Sequence, residues 1–465
     1  MPFLDRLSRW AEQRPQDTAV VCAEDRLSWS GLRSRAAELA ASGEAVGLLQ
    51  QGTGTEFVVR WAAGVAERRV CAVLDPALPE SIGGAVSQRC RDVLPESAAP
   101  AHLRDGPDDS AFLVGLTSGT TSVPKGFLRS RGSWRRSFEA STRHFDLRSE
   151  DRVLVPGPLS SSMNLYALSE CLHAGAAAVV LPRFDSAAAR AAITAEGVTR
   201  VVAVPTMLRL IAERALAAGE SAHGLRAIVC AGQKLDPQTL AAARRWAPNA
   251  VIWEYFGAAE LGFVAAQEHP PGEIRTLDPT AVGLPFPGVE AVIVDHDGRV
   301  LPEGSTGSIA VRSDLVCDGY LWGDDGRAFA RIADLATVRD QGFLRDGRLH
   351  VLGRASEMIN TGGLNIYPQE VEAAIGSVPG VAEAVVVGLP DPSRGQRLVA
   401  GVLLEDEGAD RQSLRAALET MLASTKRPQQ YWRLGELPVT GGGKISRAVL
   451  RSWIEEGDPR ARPLG

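Results

Sequence analysis

Short, almost wholly apolar runs alternate with amphipathic stretches through the first half of the chain. Residues 18–22, 45–49, 152–155, 176–181, 200–204 and 227–230 are rich in Val, Ile, Leu and Ala, the pattern of strands buried on both faces of a parallel sheet. Residues 3–13, 29–42, 207–218 and 239–246 instead space their apolar positions at a helical period. Strand–helix alternation of this kind predicts an α/β fold with helices covering the sheet. After residue 282 the texture changes to turn-punctuated strands at 290–295, 307–313 and 348–352, with Asp297-Gly298 as a hairpin signal, which predicts a β subdomain. A compact tail follows, with helices at 368–376 and 411–423 and strands at 382–387 and 398–404, so a division into 1–353 and 354–465 is expected.

Composition narrows the function. A chain of 465 residues is long enough for more than one domain core. Its 50 basic and 56 acidic side chains give a net charge of -6, with Lys and Arg scattered, so no footprint for nucleic acid is present and small soluble partners are favoured. The six cysteines are widely spaced without C-x-x-C and the seven histidines do not cluster, which argues for reduced thiols and against a structural zinc site. The most apolar stretch, 176–181, is too short to span a bilayer, and the N-terminus lacks a long apolar core. A cytoplasmic protein without membrane contact is expected.

Candidate chemistry begins where the apolar run 111–116 ends, at Thr117-Ser118-Gly119-Thr120-Thr121-Ser122-Val123-Pro124-Lys125-Gly126. Clustered hydroxyls, backbone N–H groups and one lysine suit a polyphosphate. This is not a Walker P-loop, which needs Gly-Lys-Ser/Thr, because Pro124 precedes Lys125 and Gly126 follows it. A second glycine-rich loop, 438–443, leads into Lys444 and is expected to order against a ligand or another domain.

Four further segments join these two: Trp253-Glu254-Tyr255-Phe256-Gly257-Ala258-Ala259-Glu260, Gly283-Leu284-Pro285-Phe286-Pro287-Gly288, Arg331-Ile332-Ala333-Asp334, and the run from Gly353-Arg354 to Gly362-Gly363-Leu364-Asn365-Ile366-Tyr367-Pro368. With the 117–126 loop and Gly443-Lys444-Ile445-Ser446-Arg447 they stand in the order and rough spacing of the adenylate-forming superfamily of acyl-CoA synthetases, peptide-synthetase adenylation domains and luciferases. The chain resembles that superfamily over nearly its whole length, most of all a stand-alone acyl-CoA synthetase.

The resemblance implies a large N-terminal domain of layered α/β subdomains plus a β subdomain, and a small mobile α+β C-terminal domain that rotates at a hinge near Ser356. It implies that Thr117, Ser118, Gly119, Thr120, Thr121 and Lys125 hold the β- and γ-phosphates of ATP. Phe256 would stack on adenine with Tyr255 and Gly257 beside it, Asp334 and Arg354 would bind ribose, and Glu260 would hold Mg2+. A carboxylate just past an aromatic-glycine turn also suits a hard cation on chemical grounds alone. Lys444 is implied to reach the reacting carboxylate and the α-phosphate, where a cation offsets the repulsion between two anions. Departures from the family pattern include Ser122 for a glycine, Ala259 for a hydroxyl residue, and Gln233-Lys234 for small residues at the pocket wall.

Pocket walls assigned by the resemblance supply Ser160, Met163, Asn164, Met207, Cys230, Gln233 and Phe263. That mixture suits a small aryl or short acyl acid better than a long alkyl chain. No aspartate in these segments is placed to bind an α-amino group, and no fused carrier domain is expected. CoA is therefore the expected thiol acceptor, with a free-standing carrier protein as the nearest variant. Two other readings stay open: adenylation of another oxyanion, such as nitrite for diazotisation of an arylamine, and a nucleotide-binding protein with weak or no turnover.

Overall fold

The all-apolar runs pair with one another in parallel, as burial on both faces requires. In the computed structural model, Thr18–Cys22, Ala177–Val180, Arg152–Val155, Arg200–Ala203, Ala227–Ala231 and Val251–Ala258 lie side by side in that order, each neighbouring pair parallel. Gly262–His269 continues the sheet antiparallel to Val251–Ala258. The structure describes the chain except residues 1–2, 43–46, 95–101, 118–123, 273–277, 325, 327, 355–356, 362–363, 406–408 and 440–444.

A second sheet runs Gly319–Trp322, Lys125–Ser130, Ala111–Thr117, Cys71–Val73, Leu48–Leu49. Its hairpin sets Thr117 opposite Lys125 and Leu116 opposite Gly126. Lys125 and Gly126, expected inside the loop 117–126, thus belong to a strand. The cause is Trp322: its Nε1–H donates to the Pro124 carbonyl at 2.9 Å, and its ring lies where a Cβ on Gly126 would come within 2.4 Å. Tyr255, Phe256 and Gly257, expected in a turn, are also in a strand. Gly262–His269 follows so soon that each finds a ladder partner, and the turn moves to residues 259–261.

The chain forms two compact units. The first comprises Met1–Thr276, Val282–Val292 and Ala310–Val338, the second Leu277–Ala281, Ile293–Ile309 and Arg339–Gly465. In the second, Asp295 accepts from the N–H groups of Asp297 and Arg299, both at 2.9 Å, which forms the turn signalled by Asp297-Gly298. Its sheet places Val381–Asp391 and Gln430–Leu434 on either side of Gly395–Leu404. Alternation along the strands sorts their side chains. Ala384, Val386 and Val402 pack with Val371, Ile375, Leu414 and Leu418 of helices Pro368–Gly376 and Arg411–Met421. Val385, Val387 and Val399 pack with Leu450 and Trp453 of helix Arg447–Glu456. All six cysteines are buried free thiols. No helix among the described residues is long and apolar enough to cross a membrane.

Candidate functional site

Thr117 ends one hairpin strand and Lys125 begins the other, so the two ends of the hydroxyl-rich segment are pinned together. Ser118, Gly119, Thr120 and Thr121 lie outside the described residues, as do Ser356 and Lys444. Glu260 sits in the turn after Val251–Ala258 and is only 6% exposed. The Tyr320 hydroxyl donates to Glu260 Oε1 at 2.5 Å and lies 2.9 Å from the Thr117 hydroxyl. Burial, reinforced by the Glu260 charge, pushes the Tyr320 phenol far above its usual pKa, so it stays a donor. Thr117, Lys125 and Glu260 are thereby brought into one place.

The turn carrying Glu260 is held from both sides. Arg129, buried in strand Lys125–Ser130, donates to the Ala259 carbonyl from Nε at 3.2 Å and Nη2 at 2.5 Å, and from Nη1 to the Leu315 carbonyl. The Cys317 N–H donates to the Glu260 carbonyl at 2.7 Å. Ala259, which lacks the hydroxyl the family pattern would place there, contributes its backbone to this clamp. Gly257 is obligatory for space, because a Cβ there would lie 2.3 Å from the Gly262 carbonyl oxygen.

Adjacent residues of a strand face opposite sides, so Tyr255 and Phe256 do not share a surface. Tyr255 packs against Phe145 and Phe263 and lines a cavity. Phe256 remains half-buried on the other face. Asp334 is exposed and ion-paired with Arg312, which also holds Glu290. The Arg312 hydrogen bond holds the Asp334 carboxyl below its usual pKa. Arg331, on the strand leading to Asp334, donates to the Cys317 carbonyl at 2.8 Å and so ties that strand to the Glu260 turn. Arg354 belongs to the second unit, where it pairs with Asp340 at 3.3 Å.

The cavity measures about 20 Å3 and is lined by Met163 and Phe263 together with Tyr166, Glu170, Arg200 and Tyr255. The other expected pocket residues are not among those that line this cavity. Val229 faces the cavity, so its neighbour Cys230 faces away, on the ladder opposite Glu254. Asn164 lies one helical step off Met163 and donates to the Pro158 carbonyl at 3.0 Å. Gln233 accepts from Thr206 at 3.1 Å, and Lys234 pairs with buried Glu254 at 2.5 Å. Met207 is buried on helix Pro205–Ala217, and Ser160 lies in the loop before helix Ser162–Ala174.

Sequence reasoning passed over Tyr320, Arg129, Tyr166 and Glu170. Nothing local marks the first two, whose partners lie 60 and 130 residues away. Glu170 did leave a signal: Met163, Tyr166, Ala167 and Glu170 share one helical face, and a carboxylate on such a stripe is out of pattern.

Comparison with known proteins agrees with this architecture. The family profile described as AMP-binding enzyme matches residues 59–321, and that described as AMP-binding enzyme C-terminal domain matches residues 370–444. An uncharacterized acyl-CoA ligase of Bacillus subtilis is 33% identical over 374 residues, covering 80% of this chain and 72% of the relative. Indoleacetate–CoA ligase of Aromatoleum aromaticum is 33% identical over 363 residues, covering 77% and 70%. The solved structure of o-succinylbenzoate CoA synthetase from Bacillus subtilis, in complex with its acyl-adenylate intermediate, matches with a TM-score of 0.80 over 99% of both chains at 24% identity, a likeness of fold. The profile covers more than half of the sequence and the relatives span most of it, so the chain belongs to the AMP-binding enzyme family.

Proposed function

We propose that the chain is an ATP-dependent acid–CoA ligase that activates a small aryl or short acyl carboxylic acid. A carboxylate oxygen attacks the α-phosphorus of ATP, the bond to pyrophosphate breaks, and acyl-adenylate and pyrophosphate result. The CoA thiolate sulfur then attacks the acyl carbon and AMP leaves. The observation that carries this reading is the chain Thr117–Tyr320–Glu260, which fixes a buried carboxylate beside both ends of the hydroxyl-rich loop.

In this reading Thr117, Ser118, Gly119, Thr120, Thr121 and Lys125 take the β- and γ-phosphates, and Phe256 covers adenine. Asp334 takes the ribose hydroxyls; its ion pair with Arg312 is exposed and screened by water, so it yields readily to a ligand. Tyr320 occupies one oxygen of Glu260 and leaves the other for a hard cation, a donor set that fits Mg2+ held by one carboxylate plus phosphate oxygens. That ion, when bound, neutralises phosphate charge. Residues 354–465, turning near Ser356 with Arg354 at the joint, deliver Lys444 to the reacting anions. CoA as acceptor is supported by the relatives, named acyl-CoA and indoleacetate–CoA ligases.

Pyrophosphate release screened over aryl, short-chain and inorganic acids, with and without CoA, tests the assignment. At least one small carboxylic acid should release pyrophosphate and yield a CoA thioester. Release with nitrite alone, or transfer only to a carrier protein, overturns it.

A further inference from the structure

Helix Ser162–Ala174 turns Met163, Tyr166, Ala167 and Glu170 onto one face, and these four line the cavity of about 20 Å3 together with Phe263 and Tyr255. Space of this size holds about one water molecule, or one heavy atom of a ligand. Glu170 is the one carboxylate among its lining residues. The Ser141 hydroxyl donates to its Oε1 and lies 3.0 Å from the Tyr166 hydroxyl, which is 2.7 Å from Ser137. Arg200 also reaches the wall, but its Nη2 donates to the Phe145 and Asp146 carbonyls and its Nε lies 3.9 Å from Asp151.

Glu170 is half-buried in the first unit and is one of the residues that line the cavity. Burial raises its pKa to about 7, against the Ser141 hydrogen bond and the Arg200 charge, which lower it. Packing alone does not call for a carboxyl group here. Burying one without a direct ion pair costs free energy that an apolar side chain of similar size would not.

We propose that Glu170 is a specificity-determining residue that selects acids carrying an amino or hydroxyl group at the end remote from the reacting carboxylate. The proposal rests on the ligase reading above and names its substrate class. The remote group takes the one-atom space, among Tyr255, Phe263 and Met163, and donates to Glu170. An acid without the donor leaves the carboxyl group with only the Ser141 hydrogen bond to Oε1, and sites of that kind reject the analogue by on the order of 10²-fold or more.

The test is kcat/KM for pyrophosphate release with matched pairs of small acids that differ only by the remote amino or hydroxyl group, in wild type, Glu170→Gln and Glu170→Leu. Wild type should favour the donor-bearing member by on the order of 10²-fold. Glu170→Gln, which accepts a hydrogen bond but carries no charge, should keep the preference for hydroxyl and lose most of that for a protonated amine. Glu170→Leu should erase both preferences, raising KM for the donor-bearing acid and improving turnover of the plain one. If Glu170→Leu does not fold, Glu170→Ala takes its place, and a preference that Glu170→Ala leaves unaltered decides against the proposal. Absence of any preference in wild type, or a ranking that both variants leave unchanged, overturns it while the ligase reading stands. Pyrophosphate release with no acid at all overturns the ligase reading and this proposal with it.

Discussion

The phenol of Tyr320 is hydrogen-bonded to the carboxylate of Glu260 at 2.5 Å, and this bond joins two sheets. Tyr320 belongs to the sheet that carries the hairpin of Thr117 and Lys125, whereas Glu260 belongs to the turn beyond the parallel sheet. A phenol has one hydrogen, and it goes to Glu260, so the Thr117 hydroxyl is the donor to Tyr320. The strand end that opens the hydroxyl-rich segment and the proposed metal-holding carboxylate are therefore oriented by a single side chain.

Tyr320→Phe should separate them. Leaving a buried acceptor unpaired costs about 1–3 kcal/mol, and here part of that cost falls on the orientation of Glu260. The Mg2+ concentration for half-maximal pyrophosphate release should rise several-fold, with KM for the acid unchanged. An unaltered Mg2+ dependence would show that Tyr320 does not position Glu260.

Two glycines should respond in opposite directions to alanine. At Gly257 the added Cβ lies 2.3 Å from a backbone carbonyl that cannot move without breaking the hairpin, so Gly257→Ala should lower the unfolding free energy by about 1–3 kcal/mol or more. Gly84, on the exposed face of helix Glu80–Val93, has nothing within 4 Å of that position, so Gly84→Ala should raise it by about 0.5–1 kcal/mol. Urea denaturation midpoints check both signs.

Glu170 makes stability depend on pH. Its folded pKa of about 7 lies above the ordinary 4.5, so between these values the native state binds more protons than the unfolded chain, and stability falls as pH rises. The loss is complete above the folded pKa. Compared with Glu170→Gln, whose side chain does not titrate, the wild type should lose up to about 3 kcal/mol across that window. Parallel denaturation curves at pH 4.5, 6 and 7.5 measure the difference, and a constant gap between the two proteins would contradict it.

Lys444→Ala should slow adenylation by about 10²–10³-fold, the usual effect of removing one preorganised transition-state contact. Thioester formation from supplied acyl-adenylate should survive. Equal loss in both half-reactions would contradict delivery of Lys444 by a rotating 354–465 segment.

Much of the architecture was legible because its cause is local. Strands Arg152–Val155, Arg200–Ala203 and Ala227–Ala231 read directly from the sequence, since a short run apolar on both faces must lie inside a sheet. Within the second unit the strand at 382–387 read equally well, for Val385 and Val386 alternate between two helical layers as a period of two demands, but the unit also takes in residues 339–353, 293–309 and 277–281, which were expected in the N-terminal domain. The strands at Lys125–Ser130 and Val251–Ala258 were less legible. Glycine next to aromatic or proline signals a turn locally, and only the indole of Trp322 and the ladder to Gly262–His269 make those residues extended.

By itself, then, the sequence determined the sheet order's raw material, the hydroxyl-rich loop with Lys125, and Glu260 as the acidic group beside it, because motif chemistry and hydrophobic period are properties of neighbours along the chain. Tertiary structure alone decided which way side chains face: Val229 rather than Cys230 toward the cavity, Tyr255 away from Phe256, Glu170 in the cavity wall. It also recruited Tyr320 and Arg129 to hold Glu260 in place. Such contacts join residues far apart in sequence, and they are set by the packing of one element on another, which no local pattern encodes.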